Sequence, residues 1–246
     1  MRLLEMHHAK RVGHLGGNLS ALDALLVLYQ RVLTPGDQFI LSKGHAAGAL
    51  YIALWSVGRL SDEDLETFHE DDTLLSGHPP ASGIDDILFA IGSLGHGVSL
   101  ASGLALSAMI SGGDNRVFCL TSDGEWQEGS CWEAAIFAAH HRLNNLTVLV
   151  DANRLQGFGT TKEVASMDPI AERFRGFKLD VIEVDGHDQD RLESLLSAPP
   201  SPSPRFIVMH THKGFGVPTM QDRLESHYLP IQDDDYLKAL EHMRRF

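Results

Sequence analysis

The chain has 246 residues, 43% hydrophobic and 22% charged, with a formal net charge of −13; this is the composition of a globular protein long enough to bury a full core. The acidic balance argues against a nucleic-acid or anionic-membrane surface, since both need Lys and Arg to displace counterions. Two cysteines, Cys119 and Cys131, cannot make a disulfide framework. The N-terminal "MRLLEMHHAKRVGHLGG" is too interrupted by charge for a signal peptide, and no apolar run approaches a membrane span, so a cytoplasmic location is expected.

In chain order, "NLSALDALLVLYQRVL" carries a helical stripe at Leu22, Leu25, Leu26, Tyr29 and Leu33. Ser20 and Asp23 have the spacing of a capping box at its start. "DQFILSKGHAAGALYIALW" predicts a short strand, a loop over residues 42–45 and a helix of small residues. "SDEDLETFHE" starts a capped helix, and "DTLLSGHPPASGIDDILFAIGSLGHG" is loop-rich, punctuated by Gly and Pro. "VSLASGLALSAMISGG" is a helix closed by Gly112.

From there strands and helices alternate: "RVFCLTS", "SCWEAAIFAAHHRL", "LTVLVDAN", "LDVIEVDG", "DQDRLESLLS" and "RFIVMHTH". Cys119 falls in an apolar strand and reads as a buried thiol. Short apolar runs separated by helices indicate βαβ units. The expected fold is α/β, a doubly wound, mostly parallel sheet with helices on both faces, in one domain over residues 1–246. "APPSPSP" is a surface linker, and "DDDYLKALEHMRRF" a terminal helix. Ligands of such sheets bind beyond the carboxyl ends of the strands. Four polar loops fall there: residues 122–128, 153–159, 186–188 and 212–216.

Asp123 follows one strand and Asn153 follows the next, after a single helix. Parallel neighbours joined by one crossover bring these side chains to adjacent strand ends. A carboxylate, an amide oxygen and a free backbone carbonyl are hard ligands for Mg²⁺ or Ca²⁺, completed by phosphate oxygens. The helix beginning near Ser130 would offer its N-terminus to the same anion. That spacing is equally compatible with a helix cap at Asp123 and a turn at Asn153.

The stretch "DGEWQEGSCWEAAIFAAHHRLNNLTVLVDANRLQGFG" resembles the thiamine diphosphate motif, in its transketolase-family form. Its E-x-Q-E-G-x-x-W-E-A phrase and "NRLQ" ending separate it from 2-oxoacid dehydrogenase α-type subunits. "GHLGGNLSALD", "FILSKGHAAGALY", "SGHPP", "GSLGHG" and "THKGFG" resemble further transketolase segments in the same order, over nearly the whole chain. The resemblance implies thiamine diphosphate and a divalent cation (Mg²⁺, or Ca²⁺ or Mn²⁺) as cofactors. It implies that Asp123, Asn153 and the Leu155 carbonyl hold the cation, and that Gly124 and Glu125 lie against the diphosphate. By the same token His45 reaches the diphosphate or thiazolium side, and Gly92, Leu94 and Gly95 approach the aminopyrimidine. His14, His78 and the late His227 would face the substrate, in a transfer of a two-carbon ketol unit from a ketose or its phosphate to an aldose.

A whole transketolase has a second domain with a glutamate that activates the cofactor. The resemblance therefore implies the N-terminal subunit of a split transketolase, working with a separate C-terminal subunit that carries that glutamate, as α₂β₂. The readings kept beside it are a non-catalytic partner subunit and a 2-oxoacid dehydrogenase α-type subunit. Departures from the family pattern are Ser122 for the first glycine of G-D-G, Pro80 for an acid, His96 for a glutamine, and a first helix cut down to "MRLLEMHHAKR". A serine in place of a glycine at position 122 would be strained if φ there is positive. These departures point toward a specialised sugar such as a deoxy or modified ketose. Of the remaining polar residues, His7, His8, His140 and His141 are expected on exposed faces and Lys213 in an exposed loop. Trp126 and Trp132 are expected to pack locally.

Overall fold

The computed structural model describes residues 1–81 and 83–244. Five parallel strands form the central sheet in the order β1-β2-β3-β7-β6, with β1 Gln38–Leu41, β2 Val117–Ser122, β3 Leu146–Ala152, β6 Asp180–Asp185 and β7 Arg205–His210. A small antiparallel hairpin, β4 Leu155–Gln156 with β5 Gly159–Thr160, stands beyond the end of β3. Helices are α1 Arg2–Lys10, α2 Leu15–Val27, α3 Ala47–Ser56, α4 Asp62–Glu66, α5 Gly97–Ile110, α6 Gly129–His140, α7 Thr161–Ala165, α8 Ile170–Gly176, α9 Gln189–Leu196 and α10 Asp233–Met243. The expected final helix is present as α10; Arg245 and Phe246 lie outside the described residues, as does Ser82 in the loop-rich stretch.

The central strands are apolar throughout because both faces are covered. Alternate side chains enter two cores. Phe118, Leu120, Leu149, Ile207 and Met209 face the layer made by α1, α2, α3 and α9. Val117, Cys119, Val148, Val150, Phe206 and Val208 face α5, α6 and α8. Trp126 is fully buried in the second core, with rings of Trp132 and Phe174 at 5.2 and 4.5 Å. No helix among the described residues is long and apolar enough to cross a membrane.

One cap differs from the sequence reading. α2 begins at Leu15, so Ser20 and Asp23 lie inside it. Ser20 instead donates to the Asp151 carboxylate at 2.6 Å, and Asp23 accepts from Gln189 at 2.7 Å. Both side chains have long-range partners that outweigh a local cap. The cap expected at the α4 start is present, as a capping box with Ser61 and Asp64 reciprocally bonded to backbone N–H groups.

Candidate functional site

β2 and β3 run side by side with Ser122 opposite Asp151, so Asp123 and Asn153 leave adjacent strand ends, as the spacing predicted. Asp123 accepts the Gly124 N–H at 2.8 Å on one carboxylate oxygen and the Arg154 N–H at 2.6 Å on the other. Burial first, then the neighbouring Asp151 charge, pushes its carboxyl up to about 7, against the pull of the Arg154 N–H, Lys213 and Lys43. Among the described residues no cation pairs with it directly. A cation arriving beside such a carboxylate would favour its ionised form.

Asn153 donates from its amide nitrogen to Asp151 at 3.3 Å and to Ser20 at 3.4 Å. A carboxylate can only accept, so this fixes the amide's orientation and reserves its oxygen. That oxygen accepts the Leu155 N–H at 3.1 Å beside the cleft.

Beneath these groups lies a buried ion pair that the sequence reading missed. Lys43 and Asp151 are both fully buried and in contact. Lys43 also donates to the Gly17 carbonyl at 3.0 Å, while Ser20 and Thr211 donate to Asp151. Burial alone would raise the Asp151 carboxyl, but Lys43 and the two hydroxyls overcome it and hold it below the usual carboxylate value.

A cleft of about 260 Å³ opens above, lined by His14, His45, His78, His227, Gly92, Leu94, Gly124 and Lys213 besides Asp123, Asn153 and Leu155. His14 lies 5.6 Å from His45, 6.2 Å from His78 and 5.3 Å from His227 between ring centroids. Its backbone is left-handed, φ 64, and is held by its N–H donating to the His227 carbonyl at 3.1 Å. That conformation is uncommon for a non-glycine residue, though histidine adopts it more readily than most. Burial is the main reason all four imidazoles sit below the ordinary value: His45 well below, His14 and His78 lowered, His227 down to about 3. The cluster is therefore neutral at pH 7.

Several expectations change here. Lys213 is not an exposed loop residue: it is 1% exposed and donates to the Leu155 carbonyl at 3.0 Å and to His227 Nδ1 at 2.8 Å. The bond to Nδ1 leaves the His227 ring proton on Nε2. The Leu155 carbonyl thus already serves an ammonium, and a cation there would use its second lone pair. Glu125 does not line the cleft. Its side chain turns inward to Ser42, which donates at 2.6 Å, and its second carboxylate oxygen has no partner. Burial raises its carboxyl to about 7. Gly95 sits behind the cleft at φ +86, where a side chain would collide with Ser130 and Glu128.

The helix near Ser130 does not present its N-terminus to the cleft. A 3₁₀ turn, Gly124–Gln127, intervenes between β2 and α6, and the Ser130 hydroxyl is spent on the Gly95 carbonyl. Ser122 carries no strain. Its φ is not positive, and its hydroxyl accepts the Glu125 N–H at 3.3 Å, capping the turn. His96 is exposed at the start of α5, and Pro80 is half-buried. The loop after β6 reaches the sheet edge but lines a neighbouring cavity through His187 rather than this cleft. His7 is buried, not exposed, with Nδ1 against the Leu3 carbonyl, and His8 stacks on Tyr236.

A doubly wound α/β domain, with a carboxylate and an oriented amide at adjacent strand ends under a histidine cluster, has the architecture of an enzyme domain that binds its ligand beyond the carboxyl ends of its strands. The chain belongs to the transketolase family: the family described as "Transketolase, thiamine diphosphate binding domain" matches residues 1–243. Thiamine diphosphate is the cofactor of that domain, and the chain is a transferase subunit of transketolase type. It is 36% identical over 242 residues to one subunit of the apulose-4-phosphate transketolase of Actinobacillus succinogenes, covering 94% of this chain and 88% of that protein. It is 34% identical over 245 residues to a 6-deoxy-6-sulfo-D-fructose transketolase subunit of a Clostridium species, covering 95% and 89%. The crystal structure of Campylobacter jejuni transketolase superposes with a TM-score of 0.88 at 28% identity, over 98% of this chain and 40% of that one. The chain thus spans about two-fifths of that solved transketolase.

Proposed function

We propose that this chain, as one thiamine diphosphate-binding domain, is the diphosphate-side subunit of a two-subunit transketolase that moves a two-carbon ketol unit from a ketose or its phosphate to an aldose. The observation that carries the reading is the pairing of Asp123 and Asn153 at adjacent strand ends, beneath a cleft edged by His14, His45, His78 and His227.

The donor set fits a divalent cation. Among the described residues no group of three or more His, Cys, Asp or Glu could hold a metal alone. One carboxylate, one amide oxygen and a carbonyl form the partial oxygen shell that Mg²⁺ fills with phosphate oxygens and water. Asp123, Asn153 and the Leu155 carbonyl would hold the cation, and a cation beside Asp123 would offset the burial that raises its carboxyl. Gly124 edges the cleft, where a diphosphate can approach its backbone. Gly92 and Leu94 edge the same cleft, where they would approach the aminopyrimidine. Bound thiamine diphosphate supplies the carbon nucleophile for breaking and remaking the ketose C–C bond. His14, His78 and His227, neutral and close together, would bind sugar hydroxyls and move their protons near neutral pH, with His45 on the cofactor side. Lys213 keeps His227 in the tautomer whose Nε2–H can donate.

The partner would be a separate subunit bearing the activating glutamate, in an α₂β₂ assembly; that the relatives are themselves named as subunits supports this. The test is co-purification with the product of the adjacent gene, then Mg²⁺-dependent thiamine diphosphate binding and ketol transfer over a ketose panel. A complex that does not bind the cofactor refutes the proposal.

A further inference from the structure

The segment over residues 224–228 is a strap laid across the cleft. Its 3₁₀ turn, Leu224–His227, ends on Tyr228. The His227 carbonyl takes the His14 N–H, and the Tyr228 phenol donates to the Gly157 carbonyl in the β4–β5 hairpin. Two glycines make room for it. A Cβ at Gly13 would lie 2.1 Å from the Tyr228 carbonyl oxygen, and one at Gly157 would lie 2.1 Å from its phenol oxygen. The Tyr228 ring meets the His227 ring edge-on at 4.7 Å and lines the cleft while remaining half exposed. The ring therefore spans from the histidine cluster to the hairpin on the solvent side.

Its chemistry differs from the rest of the wall. Its phenol proton is committed to Gly157. Among the described residues the only lysine or arginine lining the cleft, Lys213, is committed to Leu155 and His227. Phe158, beside it on the hairpin, is 87% exposed and apolar. The His227 Nε2–H lies at the inner edge of this lip, and the lip itself offers aromatic carbon. A sugar hydroxyl pressed against it loses water without gaining a partner, which is unfavourable.

We infer that Tyr228 is a specificity-determining residue, an aromatic lip that contacts the sugar carbons beyond the transferred ketol unit and favours donors whose distal carbon lacks a hydroxyl. This rests on the function proposed above. A hydroxyl placed in an apolar pocket is discriminated by about tenfold or more. The lip should therefore set a deoxy-over-hydroxy preference of roughly that size.

The test uses the two-subunit complex and two donor pairs: fructose with 6-deoxyfructose, and xylulose with 5-deoxyxylulose. kcat/KM is measured for each, together with thiamine diphosphate affinity. In the native complex the deoxy member of each pair is favoured about tenfold. Tyr228→Gly, Tyr228→Ser and Tyr228→Leu are then compared, and only variants that keep native cofactor affinity are scored for preference. The Gly and Ser variants should lower the preference at least about threefold, and the Leu variant, which keeps apolar bulk, should retain most of it. A preference unchanged within twofold in the Gly or Ser variant overturns the inference, as does an absent preference in the native complex. If no variant keeps cofactor affinity, Tyr228 is structural and the inference also falls. A native complex with no ketol transfer to any acceptor refutes the parent proposal instead, so the two failures are distinguishable.

Discussion

Replacing Lys43 with Met should be the most damaging single change beneath the site. The substitution keeps the side chain's length and removes its charge from a fully buried pair. Losing one partner of such a pair costs about 3–5 kcal/mol, because the other charge is left without compensation. Asp151 would keep its bonds from Ser20 at 2.6 Å, Asn153 at 3.3 Å and Thr211, which places the loss toward the lower end. An upper bound follows from the proton. Asp151 can escape its unpaired charge by protonating, and from an ordinary value of 3.8 to pH 7 that costs about 4 kcal/mol. The expected loss is therefore about 3 kcal/mol at pH 7.5. It should shrink by 1 kcal/mol or more at about pH 5.5, where the variant's Asp151 more readily takes up a proton. Urea unfolding followed by tryptophan fluorescence is the assay, since Trp126 is fully buried. Adding Asp151→Asn should restore at least about half the loss, as the two sites are in contact and couple. A loss below about 1 kcal/mol, or one independent of pH, would show that Lys43 does not neutralise Asp151.

Other consequences are direct. Asp123→Ala should lower Mg²⁺-dependent thiamine diphosphate affinity at least about 100-fold; calorimetric titration showing native affinity would reject the cation assignment. Ser122→Gly should cost about 1 kcal/mol of stability, from lost capping of the 3₁₀ turn and added chain entropy, with no gain in cofactor affinity. A stabilised Gly variant would mean that the backbone at 122 is strained. His7 is driven from an ordinary 6.5 down to about 4, chiefly by burial, so the unfolded chain binds its proton first as pH falls. Its stability contribution is present above pH 6.5 and is lost as pH falls toward 4, about 2 kcal/mol being gone by pH 5. His7→Gln should flatten that part of the pH–stability curve by about one proton. An unchanged slope would place the titration elsewhere.

The sheet was legible because both faces of its central strands are apolar, so β2, β3 and β7 appear as short β-rich runs between helices. The juxtaposition of Asp123 and Asn153 was legible too, because a parallel crossover brings these two strand ends together regardless of side-chain detail. What failed were inferences that treated a local pattern as sufficient. Ser20 and Asp23 have capping-box spacing, yet α2 starts six residues before such a cap would place it, and Ser20 inside it bonds to Asp151 from 131 positions away. Ser130 has the position of an anion-binding helix start, yet a 3₁₀ turn moves that start off the cleft.

Buried charge was the least legible feature, and its cause bears on the site. Lysine is ordinarily exposed, so nothing local marks Lys43 or Lys213 as interior. Each is buried because its partners come from other strands and loops: Asp151 lies 108 positions from Lys43, and the Leu155 carbonyl 58 positions from Lys213. These two lysines do different work. Lys43 compensates Asp151, and Asp151 in turn holds the Asn153 amino group, so the amide oxygen is the atom left for a cation. Lys213 holds His227 through Nδ1 and so determines which face of that imidazole carries a proton. The motif residues would supply the chemistry, but the direction in which Asn153 and His227 present their polar atoms is set by two ammonium groups outside the motif. Exchanging either lysine should therefore alter cofactor or sugar handling even where Asp123, Asn153 and the histidines are untouched. Lys213→Met tests this without disturbing the Lys43–Asp151 pair: the expected result is cofactor binding by the two-subunit complex with an altered pH profile of transfer, and an unchanged profile would show that His227 needs no help in holding its tautomer.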